Sequence, residues 1–111
     1  TLVISVGTLA APVEQALHDT AFAHADLRFV KPLDQNLLQD ALAFERVVVV
    51  EDGCIQGGAG SAVGEWLLAN GYKGAFQSLG LPDRFVAHGS PTELYAEVGL
   101  DVTGLKKALG I

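Results

Sequence analysis

Four valines in a row, Val47-Val48-Val49-Val50, constrain this 111-residue chain more than any other feature. Successive side chains of a strand point to opposite faces, so an unbroken β-branched run has no polar face to turn toward water. Both faces must be covered, the signature of a central parallel strand held between helices. The rest of the chain alternates to match. Residues 2–6 form a short apolar, β-favouring run closed by Gly7. Val13, Ala16, Leu17, Thr20, Ala21 and His24 then recur at steps of three and four, which predicts a helix with one buried stripe. Thr8 is placed to cap it, and Pro12 falls in its first turn. Residues 27–30 read as a second strand, and Asp34 is a natural N-cap for a helix burying Leu37, Leu38, Ala41 and Leu42.

After the valines, Glu51-Asp52-Gly53 leaves the sheet, and Gly57-Gly58-Ala59-Gly60-Ser61 leads into a helix. That helix buries Ala62, Val63, Trp66 and Leu67, and Asn70-Gly71 stops it with a left-handed cap. Residues 75–79 read as another strand. Ser90-Pro91-Thr92-Glu93 carries the signals of a helix start, with Leu94 and Val98 as anchors and Gly99 as its end. Asp101 starts a last short helix through Leu105, Ala108 and Leu109, with Lys106 and Lys107 at the negative end of its dipole. Strands alternating with helices predict a three-layer α/β/α sandwich around a mostly parallel sheet. One domain spans residues 1–111, within the usual range of about 100–150 residues.

Composition narrows the partners. With 13 acidic and 7 basic residues the net charge is −6, and no basic stripe is interleaved with aromatics, which argues against nucleic acid. No apolar run approaches the roughly 20 residues of a membrane span, and no secretory leader is visible. Cys54 is alone, so an intramolecular disulfide is impossible and a reducing, cytosol-like compartment is expected. Glu51 and Asp52 beside it disfavour a thiolate, so Cys54 is expected to be a plain buried residue. The chain lacks methionine and starts at Thr1, which reads as a piece of a longer protein.

The glycine cluster is the first candidate site. A glycine-rich turn after a buried strand can present N–H groups and a helix dipole to an anion. The dinucleotide fingerprint fails at Val63, and the Walker pattern fails because Ser61-Ala62 stands where Lys and Ser or Thr are required. The alternative is close packing of the helix start against the sheet or a neighbouring domain. Ser61 with His88 as base does not make a nucleophile elbow, since Ala59 and Val63 stand where glycines belong. His18, His24 and His88 lack metal-ligand spacing, and His24 is expected on the apolar stripe of its helix. Glu51 and Asp52 lie at the carboxyl end of a buried parallel strand, where open α/β sheets bind ligands. The plainer role of Glu51 is to accept from backbone N–H groups of the glycine loop. Glu51, Gly57, Gly58, Gly60 and Ser61 are therefore the candidate anion or interface loop, and no complete catalytic set is present.

Three stretches carry a family resemblance. They are residues 26–34 (Asp-Leu-Arg-Phe-Val-Lys-Pro-Leu-Asp), Val49-Val50-Glu51-Asp52-Gly53 with Gly57-Gly58-Ala59-Gly60-Ser61, and residues 80–89 (Gly-Leu-Pro-Asp-Arg-Phe-Val-Ala-His-Gly). Together with Glu93-Leu94 and Gly99-Leu100-Asp101, they resemble the C-terminal domain of the deoxyxylulose-phosphate synthases over essentially the whole chain. The resemblance implies a five-stranded mixed sheet with one antiparallel edge strand. It also implies a parent enzyme that joins pyruvate to glyceraldehyde 3-phosphate with thiamine diphosphate and magnesium, acts as a homodimer, and serves isoprenoid, thiamine and pyridoxal synthesis in the bacterial cytoplasm or the plastid stroma. The family's diphosphate- and metal-binding motif, ring-activating glutamate and phosphate-gripping arginines have no counterparts here. The resemblance thus implies an assembly domain that packs against other domains of the parent, with no catalytic residue, cofactor ligand or metal ligand of its own. The alternatives from other classes are a small-anion or nucleotide regulatory module, and the C-terminal domain of a 2-oxoacid dehydrogenase β subunit that docks an acyltransferase.

Overall fold

Alternating side chains sort the valine run onto two faces, and two helical layers form on them. The computed structural model describes residues 1–6, 9–27, 35–54, 59–81 and 101–111. Strand β1 spans Leu2–Val6, β2 Ala23–Leu27, β3 Arg46–Cys54 and β4 Ala75–Leu81. Helix α1 spans Ala10–Ala16, α2 Gln35–Ala41, α3 Ala59–Ala69 and α4 Val102–Leu109. The sheet order is β2-β1-β3-β4, and every pairing is parallel.

Val47 and Val49 join Leu2, Ile4, Leu38, Val63 and Leu67 in the core beneath α2 and α3. Val48 and Val50 join Val3, Leu9, Val13, Leu105 and Leu109 in the core beneath α1 and α4. All four valines are fully buried. Each contributes about 1.5–3 kcal/mol of burial, which accounts for the absence of any polar residue in the run. This is the expected α/β/α sandwich. The described residues contribute four parallel strands, so the implied fifth, antiparallel edge strand is not among them.

The first crossover differs from the sequence expectation. The helix ends at Ala16 with Leu17 as its C-cap, although the three-and-four pattern runs on to His24. Asp19 adopts a left-handed backbone (φ 62°), which no helix tolerates in its interior. The Thr20 hydroxyl donates to Leu17 O and accepts from Phe22 N–H, closing the turn. Residues 23–27 then pair with residues 2–6, and Ala23 N–H donates to Thr1 O. Strand β2 therefore begins four residues before the expected start at Leu27, and His24 stands on a strand. Tertiary pairing outweighs the weak β-propensity of Ala-His-Ala-Asp. Thr8, Asp34, residues 28–30 and the helix expected after Ser90 lie outside the described residues.

The end of α3 and the start of α4 follow the sequence, and the end of α4 uses the same device as α3. Gly71 (φ 77°) ends α3: Tyr72 N–H donates to Leu67 O and Gly71 N–H to Leu68 O, the double bond pattern of a Schellman cap. Gly110 (φ 79°) ends α4 in the same way, with Ile111 N–H on Lys106 O and Gly110 N–H on Lys107 O. Asp101 accepts from Gly104 N–H at 2.8 Å and caps the start of α4. Arg46, at the start of β3, adds donors to Leu109 O and Ala108 O, both at 3.2 Å. It supplies cationic donors where the helix dipole is negative.

Candidate functional site

The carboxyl ends of β3 and β4 meet the amino end of α3, and Glu51 is the side chain placed between them. Strand β3 does not stop at Val50 as the sequence suggests. It continues through Glu51 to Cys54, with a register irregularity against β4 between Val50 and Cys54. Glu51 pairs with Val6 of β1 and is only 3% exposed. Its Oε2 accepts from Ala59 N–H at 2.8 Å and its Oε1 from Gly60 N–H at 3.1 Å.

Both carboxylate oxygens are thus engaged on the first turn of α3. The first N–H groups of a helix have no intrahelical partner and carry the positive end of the dipole, so a carboxylate there is doubly favoured. Bonds of this kind to an ionised acceptor are about twice as strong as neutral ones. The contact is a helix cap supplied from eight and nine residues upstream, in place of an N-cap side chain.

The helix sits close on β4. A Cβ at Gly60 would collide with the Ser78 hydroxyl and lie 3.3 Å from Glu51 Oε1. One turn further on, a Cβ at Gly64 would lie 3.0 Å from the Phe76 ring. Phe76 and Ser78 are alternate residues of β4 and so share a face, which explains why glycine recurs at a spacing of four on the opposing helix. Ser78 Oγ is buried here and has no hydrogen-bond partner. Neither Gly64 nor Ser78 was singled out from the sequence, because the pairing of α3 with β4 is set by tertiary packing.

The remaining candidates are dispersed. Ser61 is half-buried and engaged in an interaction of its own. Gly57, Gly58, His88 and the Cys54 side chain lie outside the described residues. His18 lies 3.5 Å from Asp19, with both side chains largely exposed. His24 Nε2 is 2.7 Å from Ser5 Oγ, and Ser5 is completely buried. That bond holds β2 to β1 and satisfies a buried hydroxyl, while burial keeps Ser5 from acting as a nucleophile. Among the described residues, no group of three or more His, Cys, Asp or Glu is placed to hold a metal ion. At the opposite, amino-terminal end of β3 and β4, the Tyr72 hydroxyl donates to Phe44 O at 2.8 Å, and burial raises its pKa above the ordinary 10.0.

Four parallel strands among the described residues, lying between helical layers with α3 capped by Glu51, define an α/β domain of the open-sheet class. The chain belongs to the family described as "Transketolase, C-terminal domain", which it matches over residues 1–105. It is 44% identical over 108 residues to the 1-deoxy-D-xylulose-5-phosphate synthase of Paraburkholderia xenovorans, covering 96% of this chain and 17% of that protein. It is 45% identical over 108 residues to the same-named enzyme of Alkalilimnicola ehrlichii, with the same coverage. A solved structure described as a split gene transketolase, an inactive beta4 tetramer, superposes with a TM-score of 0.84 at 27% identity, over 98% of this chain and 37% of that one. The chain therefore spans about one sixth of the length of the curated relatives it matches. Among the described residues, no helix is long and apolar enough to cross a membrane.

Proposed function

We propose that this chain is the C-terminal assembly domain of a bacterial 1-deoxy-D-xylulose-5-phosphate synthase and contributes no catalytic residue of its own. The parent joins pyruvate to glyceraldehyde 3-phosphate with loss of carbon dioxide, in the cytoplasm, supplying isoprenoid, thiamine and pyridoxal synthesis. Thiamine diphosphate, the electron sink for the decarboxylation, and its magnesium ion are held by the rest of that polypeptide. The partners of this domain are those other domains and the second subunit of a homodimer.

The observation that carries this reading is the Glu51 cap. The Ala59 and Gly60 N–H groups, which a diphosphate at α3 would require, already serve a buried carboxylate. The negative charge of that carboxylate also opposes a second anion at the same place. The described residues at this edge thus do not fit the diphosphate group, and they do fit a helix locked onto a sheet. Identity of 42–45% to synthases along almost the whole chain supports the choice of parent.

The test is to incubate this polypeptide with pyruvate, glyceraldehyde 3-phosphate, thiamine diphosphate and magnesium. No 1-deoxyxylulose 5-phosphate is expected, and measurable turnover overturns the assignment. In the full-length parent, Gly60→Val is expected to reduce dimer content or thermal stability before it lowers turnover per assembled dimer. A variant that stays assembled and stable yet loses turnover contradicts it.

A further inference from the structure

We draw no further inference here: the strongest candidate, the apolar surface strip of Gly64, Leu68 and Phe76 where α3 crosses β4, carries nothing because the structure does not show what covers it.

Discussion

Replacing Glu51 probes the join between sheet and helix most sharply. Glu51→Ala removes two charge-assisted hydrogen bonds and leaves the Ala59 and Gly60 N–H groups without their acceptor. Each bond to a charged group contributes about 1.5–3 kcal/mol, and loss of both in a buried setting implies a destabilisation of about 3–5 kcal/mol. Glu51→Gln keeps the shape but offers one acceptor oxygen and turns an NH2 group toward the other backbone donor. Adding the lost charge–dipole attraction of about 0.3–2 kcal/mol, that variant should lose about 2–4 kcal/mol. Domains have only about 5–15 kcal/mol of stability in total, so either change is large. Urea titration followed by circular dichroism measures it directly, as a fall in midpoint at unchanged slope. Acetate should partly restore Glu51→Ala and have little effect on the native chain, because a small carboxylate can re-enter the vacated position. If Glu51→Gln unfolds within about 0.5 kcal/mol of the native chain, the range typical of featureless surface positions, the carboxylate does not lock α3 and the reasoning fails.

Gly60→Ala should destabilise the chain by about 1–3 kcal/mol despite the better helix propensity of alanine, and a second change, Ser78→Gly, should recover part of the loss in the same urea titration. Ser78→Ala alone should be neutral or slightly stabilising in that titration, because its hydroxyl is buried without a partner. Arg46→Met should cost about 1–3 kcal/mol by releasing the Ala108 and Leu109 carbonyls, seen as faster amide exchange along α4. The folded state holds the Tyr72 proton more tightly than the unfolded state does, so the stability linked to this group is fully present below pH 10 and is lost as pH rises through the raised pKa. Tyr72→Phe should remove that component, visible as a flatter difference in urea midpoint between neutral and strongly alkaline buffer.

The sequence was most informative where a local signal and the tertiary structure agreed. The valine run, the Asn70-Gly71 stop and the Asp101 cap each state their own geometry, through face alternation, a left-handed glycine or a capping oxygen. It misled where a pattern was locally plausible but globally overruled. Thr20, Ala21 and His24 continue a helical stripe on paper, while Asp19 turns the chain and β1 recruits residues 23–27. Glu51 was legible as an acceptor for backbone N–H groups because it ends a buried strand just before a glycine-rich turn. Its partners, Ala59 and Gly60, depend on how that turn brings the helix back. The Ser5–His24 bond, the Arg46 grip on α4 and the Gly60–Ser78 contact join residues between 18 and 63 positions apart. No local spacing encodes such contacts; they follow from strand order and register.

The central claim is that the amino end of α3 is closed by the chain's own carboxylate and is not offered to a cofactor. Amide chemical shifts of Ala59 and Gly60, followed while the isotope-labelled chain is titrated with thiamine diphosphate and magnesium, test this at the atoms concerned. The account predicts that both resonances stay in place up to millimolar ligand. Saturable movement of both in the native chain would contradict it.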